Sequence, residues 1–172
     1  MSRILVTPLS AVPDVIRNHR PSHLVTLLSP EHMIDTPEGI PNDRHLRLGV
    51  NDIVDVSAGE NPPAMSHIEE LLYFSRSWPA DDPILVHCWA GISRSMAASY
   101  VILCDRLGRG SELYAAQAIR NRAPHAYPNA LLVRYADEAL GRQGRMIEAI
   151  RSIGAGTMVA EGEIVEFPLV GL

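Results

Sequence analysis

Short apolar runs alternate with amphipathic stretches along this chain. Ile4-Leu5-Val6-Thr7, His23 to Leu28 and Ile84-Leu85-Val86 are β-rich runs set off by prolines at 8, 21, 30 and 83. Runs of this length between such breakers predict buried strands. His45-Leu46-Arg47-Leu48-Gly49-Val50 alternates with period two, which predicts a strand with one apolar face. Ala11 to Asn18 predicts a helix with Pro13 in its first turn. Ser66 to Trp78 places Ile68, Leu71, Leu72 and Ser75 on one helical face, with Ser66 as its N-cap. Met96 to Leu107 reads as a helix stopped by Gly108 and Gly110, and Ser111 to Arg122 as another capped by Ser111. Asn129 to Ile153 reads as one long helix weakened at Gly141 and Gly144, and Glu163 to Phe167 as a last strand. The alternation of strands and helices predicts a three-layer α/β domain over residues 1–153, followed by a linker and extended tail over 154–172. The tail end, Glu161 to Leu172, is expected to pack on its own domain; docking on another subunit is the alternative.

Composition narrows the classes. A chain of 172 residues buries about 70% of its unfolded surface, enough core without staples. Charges number 15 basic against 20 acidic, a net −5, which argues against a nucleic-acid binder. Every basic residue is Arg, so Schiff-base chemistry and a lysine P-loop are excluded. Apolar runs are too short for a membrane span, and none near Met1 resembles a secretory core. Two cysteines, Cys88 and Cys104, make no disulfide framework, so a cytoplasmic protein with reduced thiols is the expectation. His19, His23, His32, His45, His67 and His125 lack ligand spacing; neither a metal nor a cofactor is expected.

The chemistry concentrates in one loop. The strand Ile84-Leu85-Val86 runs through His87 into Cys88; five residues intervene before Arg94, and a helix begins. In that arrangement the backbone N–H groups from Trp89 through Ala90, Gly91, Ile92 and Ser93 to Arg94 can curl around a tetrahedral oxyanion. The helix starting near Ser93 aims its positive end at the same point, and Arg94 adds a two-pronged fork for phosphate oxygens. Gly91 permits a backbone conformation that a Cβ penalises. A thiol in such a field loses its proton easily, which makes Cys88 a nucleophile aimed at a bound phosphorus. Cys104, by contrast, lies mid-helix among Val101, Ile102 and Leu103 and reads as core. Trp89 either lines the pocket or packs under the loop, and Arg120 with Arg122 reads as a solvated helix end.

His87-Cys88-Trp89-Ala90-Gly91-Ile92-Ser93-Arg94-Ser95 resembles the signature of protein tyrosine phosphatases, and its Ala-Gly-Ile-Ser-Arg-Ser ending resembles the dual-specificity branch. His45 to Asp52 is similar to the family strand that ends in the general-acid loop. Arg122-Ala123-Pro124-His125-Ala126-Tyr127-Pro128-Asn129 is similar to the segment that buttresses the phosphate loop. The likeness spans roughly residues 40 to 140. It implies a mixed central sheet flanked by helices and a cysteinyl-phosphate mechanism. It further implies that Cys88 attacks phosphorus, Arg94 holds the phosphate and Asp52 is the general acid. Ser95 would assist the sulfur, His87 would support the loop, and Asn129 would brace it. Asp55 and Asp43 are rivals for the acid. The expected substrate is a phosphorylated protein or a small phosphomonoester. The loop interior lacks the lysine that relatives acting on phosphoinositides often carry, which disfavours lipid. A catalytically silent phosphate-binding module and another oxyanion-cysteine enzyme, such as a sulfurtransferase or arsenate reductase, are the alternatives.

Overall fold

The computed structural model describes residues 2–169. Five strands, β1 (Arg3–Pro8), β2 (His23–Leu28), β3 (His45–Gly49), β4 (Ile84–Cys88) and β5 (Val165–Pro168), form one sheet in the order β3-β2-β4-β1-β5. The first four run parallel, and β5 pairs antiparallel with β1. The sheet is therefore mixed, as the resemblance implied. Six helices accompany it: α1 (Val12–His19), α2 (Met65–Ser77), α3 (Arg94–Leu107), α4 (Glu112–Arg122), α5 (Ala130–Ala139) and α6 (Arg145–Ser152).

The apolar runs are continuous because both faces of the sheet are covered. Leu5, Leu24 and Leu85 face α1, where they meet Val12, Val15 and Ile16. Their neighbours Ile4, Val6, Val25, Ile84 and Val86 face the other way, into the larger core with α2 to α6. At the centre of that core lies α3, buried at every position from Arg94 to Cys104. The parallel strands β1, β3 and β4 all end at one edge, so Pro8, Gly49 and Cys88 open onto the same side of the molecule. Open parallel sheets bind ligands at this edge.

Three local expectations change. Ser66 does not cap α2: the helix begins one residue earlier, and the His67 ring accepts the Ala64 N–H at 3.1 Å. Ser111 stands at the start of α4, but its hydroxyl donates to the Gly108 carbonyl at 2.6 Å instead of capping. The expected long helix over Asn129 to Ile153 is two. Gly141, Gln143 and Gly144 take positive φ and turn the chain. The Asp137 carboxylate then accepts the N–H groups of Gly144 (2.7 Å) and Met146 (2.9 Å), starting α6. The expected last strand is β5, which returns the chain to the β1 edge of the sheet. Of the tail, residues 170–172 lie outside the described residues.

Candidate active site

The Cys88 side chain, 2% exposed, ends β4, and the chain then loops to α3. Ser95, in the first turn of α3, brings its hydroxyl to 3.1 Å from the Cys88 sulfur. Gly91 has φ +70, and a Cβ there would stand 2.7 Å from the Pro8 nitrogen, so the loop's tight passage past β1 requires glycine. Four carbonyls of the loop are drawn outward. Leu9 N–H donates to Trp89 O (3.1 Å), Gly162 N–H to Ala90 O (2.8 Å), Tyr127 N–H to Ile92 O (2.9 Å) and Asn129 N–H to Ser93 O (3.2 Å). Because a trans peptide points its C=O and N–H in opposite directions, these bonds turn the N–H groups of Ala90, Gly91, Ser93 and Arg94 toward the inside.

Arg94 is the first residue of α3 and is 7% exposed. One guanidinium nitrogen donates to the Val50 carbonyl at 2.8 Å; the buried Nε has no protein partner. Arg94 forms no ion pair among the described residues. A buried cation without its counter-charge is costly, and an anion bound in the loop would supply that charge.

Asp52 follows β3 and reaches the same place. A single carboxylate oxygen, Oδ1, accepts the Ser93 hydroxyl at 2.7 Å and the Asn129 amide at 2.9 Å. Asn129 joins three parts: its side-chain Oδ1 accepts Leu131 and Leu132 N–H and so caps α5, while its side-chain amide also donates to Ile53 O at 3.1 Å. The rival acids are placed elsewhere. Asp55 is tied into a turn by the backbone N–H and hydroxyl of Ser57 (2.9 and 2.8 Å), which hold its carboxyl below its ordinary value. Asp43 precedes β3, at the opposite edge of the sheet from Cys88.

His87 is fully buried, and burial holds its pKa down at about 4. Its Nδ1 faces the Cys88 carbonyl at 3.2 Å and its Nε2 the Thr26 hydroxyl at 2.7 Å. Thr26 also meets His45 Nε2 at 2.8 Å, and His45 Nδ1 meets the Thr36 hydroxyl at 2.9 Å. The direction of this relay is fixed. The carbonyl requires Nδ1 of neutral His87 to donate, so Nε2 must accept from Thr26. Thr26 has one proton and therefore accepts from His45, which accepts from Thr36. Thr26, Thr36 and His45 gave no chemical signal in the sequence. Their only cue is register: Thr26 pairs with His87 across β2 and β4, and its other neighbour is β3.

Trp89 neither packs under the loop nor is buried: it is 55% exposed and leans against His32, with ring centres 5.3 Å apart. Arg120 is not a solvated helix end. Its guanidinium donates to the carbonyls of Pro124 (2.7 Å), Ala126 (3.0 Å), Ile153 (3.1 Å) and Gly154 (2.9 Å). It thereby clamps the segment leading into Tyr127 and Asn129. Arg122 donates to Glu166 O at 3.4 Å. Among the described residues no cluster of three His, Cys, Asp or Glu side chains has a metal-holding arrangement, and no helix is long and apolar enough to cross a membrane.

No protein-family model matches the chain. Dual specificity protein phosphatase 15 of Rattus norvegicus is 32% identical over 121 residues, which are 68% of this chain and 45% of that protein. The chain thus matches less than half the length of this curated relative. Among solved structures, that of DUSP15 aligns with a TM-score of 0.63 at 21% identity, covering 85% of this chain and 89% of the other. PTPMT1 in complex with PI(5)P aligns with a TM-score of 0.58 at 18% identity, covering 81% and 94%. The chain has the protein tyrosine phosphatase fold, and its sequence is similar to that of the dual-specificity branch in particular.

Proposed function

We propose that this protein is a cysteine-dependent phosphatase that hydrolyses phosphomonoesters, with phosphotyrosine, phosphoserine or phosphothreonine of proteins as its substrate class. The observation that carries the reading is Arg94, buried without an ion pair among the described residues at the helix end that faces the Cys88 loop. In the reaction a phosphate group sits among the inward N–H groups and Arg94, whose fixed charges stabilise the transition state. The Cys88 sulfur attacks phosphorus, the bond from phosphorus to the ester oxygen breaks, and that oxygen takes a proton from Asp52. Both hydrogen bonds to Asp52 fall on Oδ1, which leaves Oδ2 to carry that proton. A water then attacks the cysteinyl-phosphate while Asp52 takes its proton; the S–P bond breaks, and the Ser95 hydroxyl supports the departing sulfur. His87 and Asn129 hold the loop and the acid in place. The loop interior between Cys88 and Arg94 carries no basic side chain, which favours a phosphoprotein over a phosphoinositide headgroup.

The test is hydrolysis of an activated aryl phosphate in EDTA by wild type and by Cys88→Ser. The expected result is full turnover by wild type and a loss exceeding about 10³-fold in the variant, which still binds tungstate because the nest and Arg94 persist. Wild type that binds tungstate without turnover would make this a silent phosphate-binding module, and residual activity in Cys88→Ser would remove the covalent route.

A further inference from the structure

The chain after α6 lies against the segment and the loop that form the site. Arg120 grips its start through the carbonyls of Ile153 and Gly154. Thr157 N–H donates to Pro124 O at 2.8 Å. At Gly156 a Cβ would fall 2.5 Å from Ala126 O and 2.7 Å from His125 O, so the backbone crosses in direct contact with residues 125–126. Six residues on, buried Gly162 donates its N–H to Ala90 O, and a Cβ there would lie 2.6 Å from His125 Nε2 and 2.9 Å from Gly91 O. The segment then ends in β5, whose Val165 and Phe167 are buried against β1.

We propose that residues 156–162 are a strap that sets the conformation of the phosphate loop, with Gly162 as a positioning residue for the site. The inference rests on the phosphatase reading for its activity readout. The reason is the peptide plane between Ala90 and Gly91. Its carbonyl bonds to Gly162, so its N–H, that of Gly91, must point the opposite way, into the loop. The next residue is the φ +70 glycine, whose backbone rotates most freely of any residue in the loop. The plane most able to flip is thus the one the strap holds. Its neighbour is held in parallel: Leu9 N–H takes Trp89 O, and Ser10, next to Leu9, donates its hydroxyl to Glu161, next to Gly162. The two braces on consecutive carbonyls are tied to each other. The strap is anchored at both ends, by Arg120 and by β5, so it cannot yield to a displaced loop without breaking one of them.

Three variants test this: Gly162→Ala, Glu161→Ala, which cuts only the exposed tie to Ser10, and Met158→Ala, on the same strap but 97% exposed. Tungstate affinity is measured for each in a Cys88→Ser background, and kcat and KM on an aryl phosphate in the native-cysteine background. Gly162→Ala is expected to weaken tungstate binding and lower kcat/KM at least tenfold, Glu161→Ala about threefold in both, and Met158→Ala in neither. A strap that only stabilises the fold would lower Tm in Gly162→Ala and leave tungstate affinity and kcat of the folded protein unchanged; that result overturns the proposal. If Gly162→Ala does not fold, Glu161→Ala decides: a folded variant with wild-type affinity and kcat overturns it equally. The tungstate readout needs no turnover, so wild type that binds tungstate and hydrolyses nothing overturns the phosphatase reading while the strap is still judged by affinity.

Discussion

The two ends of α3 each hold a buried cysteine and a buried arginine, and they are opposites. At the C-terminal end Cys104 is fully buried, and burial pushes its thiol up to about 12. Arg142, 5% exposed, donates to the Cys104 carbonyl at 2.9 Å and pairs with buried Glu112 at 2.8 Å. Arg142 and Glu112, the buried charges of this pair, thus neutralise each other. At the N-terminal end Arg94, similarly buried at 7%, has no ion pair among the described residues, and the positive pole of the helix points at the Cys88 loop. Burial alone therefore separates nothing. The candidate site is the end whose buried arginine has no counter-charge among the described residues, and the core is the end whose buried arginine has one. The difference should appear as a crossing of effects between activity and stability.

The largest effects come from the two arginines. Arg94→Ala should lower turnover more than about 10³-fold and abolish tungstate binding, since it removes the phosphate fork. Its Tm should move little, because the lost bond to Val50 is offset by removal of an unpaired buried charge. Arg142→Met should do the reverse: it takes the 2.8 Å partner from buried Glu112 and leaves only the half-exposed Arg145 at 3.6 Å, a loss of at most about 3–5 kcal/mol, read by denaturant unfolding, with kcat of the folded protein within twofold. If Arg142→Met lost activity while folded, or Arg94→Ala unfolded, the contrast between the two ends would collapse.

The next effect sharpens the N-terminal end. Asp52→Asn should lower turnover about 10²-fold on alkyl phosphates, whose leaving oxygen needs a proton, and far less on an activated aryl phosphate. It should also erase the alkaline limb of the rate profile, where the acid loses its proton. Asp55→Asn should stay within twofold on both, because that carboxylate serves the Ser57 turn. The opposite pattern would move the acid three residues along the loop.

How much of this was readable before folding depends on how far apart the partners lie in the chain. The strands were legible because Ile4–Val6, Leu24–Leu28 and Ile84–Val86 are buried on both faces and so apolar at every position but Thr26. Cys88, Arg94 and Ser95 were legible because one loop carries them at fixed spacing. The break between α5 and α6 was not. Each glycine costs only about 1 kcal/mol in a helix, and what decides the matter is Asp137 reaching forward to cap the next helix. Arg120 looked solvated because a guanidinium near a helix end usually is; the carbonyls it gathers come from segments whose proximity only the tertiary fold creates. The His45 relay depends on the order β3-β2-β4, which no local pattern reports.

That relay offers the smallest and most specific test of the contrast, since the C-terminal end of α3 has no histidine network. Burial holds His87 and His45 at about 4, against an ordinary 6.5. Both are bases lowered in the folded state, so the folded protein stays unprotonated where the unfolded chain takes up protons. Their contribution is complete above pH 6.5 and is lost as pH falls from 6.5 toward 4. For buried His87 the loss approaches about 3 kcal/mol; for half-buried His45 it is smaller, because solvent screens it. Burial also lowers His23, His67 and His125, so the relay must be isolated by difference. His45→Phe should be less stable than wild type at pH 7 by about 1–3 kcal/mol, the cost of losing the hydrogen bonds of His45 to Thr26 and Thr36. The gap should narrow by about 1 kcal/mol at pH 5, since the variant has one proton fewer to take up on unfolding. Turnover should fall only a few-fold, because His87 keeps its bonds to the Cys88 carbonyl and to Thr26, while Thr26 loses only the bond it accepts from His45. Urea unfolding of both proteins at pH 7, 6 and 5 measures the gap, and curves that stay parallel across that range would show that His45 is not held neutral by the fold.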